Sequence, residues 1–537
     1  MVILGIFLLL LLAALAIVIF QVYNPSVARS WMIALISSLL AWGILFVMRL
    51  FLPTNFQLLE WLPNDLFMGT LTLNLDYQNW PYALALLTLC LAVVLTDSTR
   101  SSAENSPLTW AGTLSVTAIN LLALLAGNPL TLVLAWTLGD LVELVYLLRI
   151  RHWEKPNQGI TLVFAARLLS IFSLIAATIV GWQVNPGFLL TGIPAVAGIY
   201  FLIAAGLRLG VFPFEMPYLD APELKHGAGL LVRLTPVASA LVLIAHLPSD
   251  FLVLQQWPLG IIQGITLIAA LYSSAMWLFS PDVNSGRRHW VIALSAFALQ
   301  CALNGNAAAS LPWGLALLLT GGMVFLFDPP IRRIRFIPLL GLLGLIALPY
   351  TPAASGWAGI LGEKFTVASA VMILSHALLL LGYLRYVVES NTTITGLDNY
   401  ARLTYPLGLI IILQTSLILG LVGWPGVLTV GTWYGGAASL ALVFIGIFIS
   451  RWFGLRMSIA NLATRLPFYR FFAMLLGTLR SIFSFGWLFQ LGQWAFRQVS
   501  SAQAIITRVI EGEGGILWSL TFLVGLIILF FTRVNLP

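Results

Sequence analysis

The sequence predicts an all-α polytopic membrane protein with about 14–16 transmembrane helices, in which two inverted five-helix repeats carry interrupted helices 7 and 12. Three observations lead there. Of 537 residues, 60% are hydrophobic and 8% are charged, with a mean hydropathy of +0.99. A soluble domain carries roughly 25% charged residues. Apolar runs of about 18 residues or more recur along the chain, and Lys and Arg gather on alternate loops.

In chain order, spans are expected near 2–22, 30–52, 80–97, 108–126, 129–149 and 160–182. A broken span follows at 190–222, then spans at 226–247, 258–280, 288–304 and 309–328. A second interrupted span covers 334–364, followed by 366–389, 401–423, 427–450 and 516–533. The first run lacks the basic leader of a signal peptide and is followed at once by another span, so it reads as a helix. Between spans two and three, 53–79 lies outside and contains the alternating, strand-like Gly69 to Tyr77. The stretch 480–510 reads as an amphipathic surface helix, with Trp487, Leu491 and Trp494 offset from Gln490, Gln493 and Arg497.

The grouping is therefore 1–107 (N-terminal helices and outer hairpin), 108–247 (first repeat), 258–389 (second, degenerate repeat), 401–450 (two further spans), 451–515 (cytoplasmic or interfacial segment) and 516–537 (last span). Each repeat holds five spans, and an odd number gives the two opposite orientations in the membrane. If odd-numbered spans end in the cytoplasm, the cytoplasmic loops hold Arg149, Arg151, Lys155, Arg287, Arg288, Arg332, Arg333, Arg335, Arg385, Arg402 and Arg451. The opposite loops near 183–189, 305–308 and 424–427 hold no Lys or Arg. The positive-inside rule then places both termini on the non-cytoplasmic side of the plasma (inner) membrane. Topology thus accounts for the net charge of +7, and no nucleic-acid partner is expected.

The stretch from Gly206 to His246 breaks the rules for a lipid-facing helix. Arg208 puts a charge deep in an apolar run, Gly210, Pro213 and Pro217 interrupt the hydrogen-bond ladder, and Glu215 and Asp220 follow before Arg233. Charge and broken backbone at membrane depth survive only inside protein or against a water-filled cavity. Acidic partners stand at Asp140 and Glu143, two positions on one face of span five. A second break is expected near Pro352 and Gly356, with Lys364 beyond it. The stretch from Gly206 to His246 therefore reads as the core of an ion-handling or substrate-handling site. Five scattered histidines and two cysteines in apolar runs offer no metal site and no cofactor is expected. His246 and His376 each have two readings, a proton relay or a hydrogen bond to a backbone carbonyl.

At these residues the chain resembles the antiporter-like membrane subunits of respiratory complex I, Mrp-type cation/proton antiporters and membrane-bound hydrogenases. The resemblance rests on Arg208-Leu-Gly-Val-Phe-Pro213, Tyr218-Leu-Asp220-Ala221 and Gly229-Leu-Leu-Val-Arg233. It extends to Asp76 before span three, Gly127 to Leu130 with Ala135-Trp136 in span five, and Pro352 to Trp357 in span twelve. It implies a proton- or cation-translocating subunit, other membrane subunits as partners, and redox subunits elsewhere in the complex. With this resemblance, Asp140, Glu143, Arg208, Arg233, Glu215, Asp220 and Lys364 become a candidate ion-translocation axis, with Arg167 able to join. The departures are specific. The family's span-five glutamate falls on Thr137, its span-seven lysine on Arg208, its span-eight histidine or lysine on Arg233, and its second-half lysines near Gly321 and on Ile360. A buried lysine can shed its proton, whereas a guanidinium cannot. Two readings follow, a divergent conducting subunit and a non-conducting structural paralogue. A membrane-embedded glycosyl or lipid transferase is the rival class, against which stands the absence of an adjacent acidic pair in the first outer loop.

Overall fold

The computed structural model describes residues 2–23, 25–57, 70–97, 107–150, 158–212, 227–254, 256–281, 283–327, 332–362, 365–389, 399–425, 432–452 and 515–534, with isolated positions between 427 and 501. Two units divide the chain, Met1–Tyr469 and Arg470–Pro537.

In the first unit, α1 (Val2–Tyr23) and α2 (Val27–Val47) precede a hairpin of β1 (Thr54–Gln57) and β2 (Thr72–Leu75). Then come α3 (Trp80–Asp97), α4 (Pro107–Leu124), α5 (Pro129–Ile150), α6 (Gln158–Val184), α7 (Gly198–Arg208) and α8 (Ala228–Ala245). After the single turn α9 (Phe251–Leu254) come α10 (Gln256–Phe279) and α11 (Val283–Leu303). The next span is segmented into α12 (Leu311–Leu315), a π-turn (Ala316–Thr320) and α13 (Gly321–Leu326). The twelfth is two short helices, α14 (Phe336–Gly341) and α15 (Pro352–Trp357), and α16 (Val367–Glu389), α17 (Asn399–Val422) and α18 (Tyr434–Trp452) close the unit. In the second unit, α19 (Gly515–Val534) is apolar, and Leu517, Phe522 and Leu529 are exposed. Helix therefore occurs in every stretch expected to span, and among the described residues nine helices are long and apolar enough to cross a membrane. This is an integral membrane protein.

α3 is the axis of the first unit. Nearly all of it is buried, because α2, α4, α8 and α17 pack around it. A helix apolar on every face is stable only when neighbours cover every face. The outer helices α1, α2 and α6 instead expose Leu, Ile and Val on one side, as lipid-facing helices do.

The hairpin pairs Thr54 with Leu75 and Gln57 with Thr72, antiparallel. It docks on the α4–α5 turn, where Asn74 N–H donates to Leu125 O at 2.8 Å and Gly127 N–H to Thr72 O at 2.8 Å. Gly127 permits that approach, since a Cβ there would lie 2.7 Å from Thr72 Oγ1. Asn128 Oδ1 accepts from Thr131 N–H at 2.9 Å, capping α5, with Pro129 at its first position. The hairpin end of the first half is thus tied to the start of α5.

Both interruptions are present, with differences in detail. The run before α7 forms two 3-10 turns, Leu190–Gly192 and Ala195–Ala197, so α7 is only 11 residues long. Gly210, at φ 72°, turns the chain back. Pro213 and Pro217 lie outside the described residues. In the twelfth span the break precedes Pro352, at 345–351, with Tyr350 at φ 62°. Pro352 opens α15 at the one helical position where its missing N–H costs nothing. Gly356 is not the break: it lies inside α15, where a Cβ would stand 2.6 Å from Trp313 Nε1. α11 begins at Val283, so Arg287 is a helical, buried side chain over the Phe325 ring at 5.1 Å rather than a loop charge.

Candidate ion-translocation site

Asp140 sits at the middle of α5, about 16 Å along it at 1.5 Å per residue, which is half of a hydrocarbon core about 30 Å thick. Helical spacing puts Trp136, Asp140 and Glu143 on the inward face, while Leu134, Leu138, Leu141 and Val145 face out. Thr137 takes the position of the resemblance's glutamate, half-buried, with its hydroxyl donated back to Val133 O at 2.7 Å. The next acidic side chain on that face is Asp140, about one turn along the helix.

Arg208, the last residue of α7, meets Asp140 in two-pronged fashion, Nη1 to Oδ2 at 3.1 Å and Nη2 to Oδ1 at 3.0 Å. A bidentate guanidinium–carboxylate pair fixes both partners in orientation as well as distance. Arg167 of α6 bridges the two carboxylates, donating from Nη1 to Asp140 Oδ1 at 3.3 Å and to Glu143 Oε2. All four residues are at most 6% exposed. Two carboxylates and two guanidiniums make a net charge of zero when all are ionised, the condition under which such a cluster tolerates burial.

Trp136 extends the cluster towards α8. Its ring lies 4.3 Å under the Arg208 guanidinium, and its Nε1–H donates to Ser239 Oγ at 2.8 Å. A cation over an indole face is a favourable contact, and the donated N–H holds the ring in that pose. The α7 turn supports Arg208 from the other side. Phe212 N–H donates to Gly206 O at 3.2 Å, and a Cβ on Gly206 would fall 2.2 Å from the Phe212 ring.

The structure joins Asp140, Glu143 and Arg208 with Arg167. Arg233 stands half-buried on α8. Glu215, Asp220 and Lys364 lie outside the described residues. The apolar sequence around Arg167 shows that it needs a buried acid, and only the fold identifies two.

The second half presents different chemistry. A Cβ at Gly321 would lie 2.4 Å from Trp290 Nε1, so an indole fills the space a side chain there would occupy. Ile360 is buried. Phe297, Trp313, Trp357 and His376 pack on one another with centroids 4.8–6.2 Å apart. His376 places Nε2 at Leu345 O, 3.1 Å away.

His246 closes α8 at the hairpin end. Its Nε2 lies 2.9 Å from Asp76 Oδ2, across 170 residues, and its Nδ1 lies 2.9 Å from Val242 O. Asp76 also accepts from Asn74 Nδ2 at 3.0 Å and from the Gln78 and Asn79 amides at 2.8 and 2.9 Å. Burial alone would raise the Asp76 carboxyl. The His246 hydrogen bond and charge, with the two amides, outweigh it and hold the carboxyl below its usual value.

No protein-family model matches the sequence, and no curated protein matches it. Solved structures do. A chain of the Mrp complex from Dietzia sp. DQ12-45-1b superposes with a TM-score of 0.74 at 14% identity over 100% of this chain and 63% of that one. This chain therefore spans about two-thirds of the length of its Mrp counterpart. A chain of the membrane-bound sulfane sulfur reductase, an archaeal respiratory membrane complex, gives 0.65 at 15% identity, covering 97% of this chain and 99% of that one. A chain of respiratory complex I from Thermus thermophilus, with bound aureothin, gives 0.57 at 14% identity, covering 79% and 100%. Joined to the short α7, its turn at Gly210 and the buried charges beside it, these likenesses show that the chain has the fold of the antiporter-like membrane subunits.

Proposed function

We propose that the protein is a divergent proton- or cation-translocating subunit of a larger membrane complex, working through the first half. The observation that carries this reading is the buried, neutral cluster of Asp140, Glu143, Arg167 and Arg208 halfway along α5. Ionisable groups at that depth are expensive and are kept where charge moves. The arginines cannot exchange protons, so they act as fixed counter-charges, and the exchanging groups are the carboxylates. Glu143 is the entry member, held by Arg167 alone among the guanidiniums and set towards the arginine-rich end of α5. Asp140, clamped by two arginines, is the deeper member. By the positive-inside rule the arginine-rich ends face the cytoplasm and the hairpin faces away from it. The solved likenesses are chains of multi-subunit complexes, which favours other membrane subunits as partners.

A second reading has its own support. The aromatic packing around Trp290 and Trp313 favours a structural paralogue that fills a subunit position without conducting. Ion flux separates the two. In membrane vesicles containing the assembled complex, Asp140→Asn with Glu143→Gln is expected to abolish proton or cation flux per assembled complex, with assembled yield measured alongside because two buried guanidiniums lose their counter-charges. Wild-type flux in that double variant would leave only the structural reading.

A further inference from the structure

We propose that protons exchange between the buried cluster and the hairpin face within the first half, with the His246–Asp76 pair as the terminal station. This rests on the reading that the first half conducts. Three observations lead to it.

The first is that the second half offers no titratable chain among its described residues at the matching depth. Trp290 occupies the space at Gly321, Ile360 is aliphatic, and His376 is enclosed by Phe297, Trp313 and Trp357. These described positions favour an exit for a proton at Asp140 that does not pass through them.

The second is a line of polar groups from Asp140 to the hairpin end. Arg208 covers Trp136, and Trp136 donates to Ser239. Ser239 lines a small cavity of about 10 Å³ together with Asn79, Thr191 and His246. That is space for about one water, with polar partners to hold it. His246 and Thr191 also line a cleft of about 530 Å³ on the other side, with Asp76 and Asn306. His246 and Thr191 are thus the partition between an interior water site and the open cleft. Trp136 cannot carry a proton, so transfer past it depends on water moving when the ring tilts off Arg208.

The third is proton counting at His246. Nδ1 faces a backbone carbonyl and must carry hydrogen. Nε2 faces Asp76 Oδ2, an atom that already accepts from Asn74. One hydrogen must lie between Nε2 and Oδ2, on the ring as imidazolium beside carboxylate or on the acid beside a neutral ring, and the depressed Asp76 carboxyl favours the first. Loss of that proton sets two lone pairs against each other and releases the ring. In uptake the cavity water gives one proton to Nε2 and takes one that has left a cluster carboxyl, so that an O–H bond of the carboxyl is broken and an N–H bond formed; release breaks that N–H bond and passes the proton to cleft water. Among the described residues, the other charged groups near the pair are Asp250, bonded to the Ser249 hydroxyl, and Arg49, which stacks on Tyr77 at 5.0 Å.

The test measures proton flux in vesicles of both orientations carrying the assembled complex, with pH varied on one side at a time. His246→Asn should lower flux by at least about tenfold and abolish its dependence on hairpin-side pH, as removal of a proton-transferring group does. Thr191→Phe, a change at an exposed position, should plug the partition and reduce flux comparably with His246 and Asp76 intact. Glu143→Gln serves as the reference. If Glu143→Gln stops flux while His246→Asn and Thr191→Phe keep the wild-type rate and pH profile, the route is overturned and the conducting reading survives. If Glu143→Gln combined with Asp140→Asn conducts at the wild-type rate, both fall. Should His246→Asn fail to assemble, Thr191→Phe alone decides.

Discussion

Asp140 accepts hydrogen bonds from two guanidiniums inside a helical bundle, and that arrangement determines what each substitution would do. Arg208→Ala would leave Asp140 with Arg167 alone and upset a neutral cluster, a loss of about 3–5 kcal/mol for a broken buried pair. A clear fall in assembled yield and in the thermal midpoint in detergent is expected. Arg208→Lys should recover only part of it, since an ammonium keeps the charge but cannot reproduce the two-pronged contact or the stacking on Trp136. At the hairpin end the prediction concerns pH. Asp76 has a depressed carboxyl, so its contribution to stability is full above the ordinary aspartate value of 3.8 and is lost as pH falls through the lower folded value. Thermal midpoints measured from pH 6 downward should drop below about pH 4 in the wild type. Asp76→Asn should start lower and show less of that drop. The pairing of an acid in span five with Arg208 was legible in the sequence, because an arginine in an apolar run demands a carboxylate and few exist. The contact between His246 and Asp76 was not legible, since nothing local links two residues 170 positions apart.

At the scale of elements, the short α7 and its turn position the whole site. Gly206 and Gly210 let the chain fold back so that Arg208 ends the helix at the bundle interior, instead of one turn beyond. Gly210 lies at φ 72°, where an added Cβ costs roughly 1–2 kcal/mol. Gly210→Ala should lower stability by about that amount and reduce flux further than the stability loss explains, because Arg208 would shift. Flux compared with the fraction of folded complex checks this. The spans and both interruptions were readable, since apolar length and Gly or Pro in mid-run have one physical meaning in a bilayer. The π-turn at Ala316–Thr320 was not, because Ala-Leu-Leu-Leu-Thr is ordinary helical sequence and the widening follows from what packs against it. The second break, expected near Pro352 and Gly356, lies at 345–351: a proline announces a break, while its exact place is not written in the local sequence.

Among the described residues of the first unit, the buried carboxylates lie no later than α5 and none lies in the second half, while each half also buries arginines and tryptophans. The first half buries four ionisable side chains around α5, α6 and α7. The second buries Trp277, Trp290, Trp313 and Trp357 almost completely, with tilted and edge-on contacts among them and their Phe, Tyr and His neighbours. Such ring pairs contribute packing energy and exclude water. Water exclusion removes the medium through which protons hop, so the two chemistries are alternatives at a given site. Restoring a lysine at Gly321 should therefore not restore a carrier. Its Cβ would lie 2.4 Å from Trp290 Nε1, and the ammonium would enter a region with no acid among its described neighbours. Gly321→Lys is expected to lose assembled yield. Trp290→Ala alone should also lose stability, by about 3–5 kcal/mol. The double variant should lose less than the sum of the two, since each change relieves the clash or cavity made by the other. His376→Gln should keep flux near the wild-type level, because a histidine enclosed by rings carries no traffic in this scheme. Flux lost in His376→Gln with assembly intact would mean that protons do cross the aromatic half, and that the division of labour between the halves is wrong.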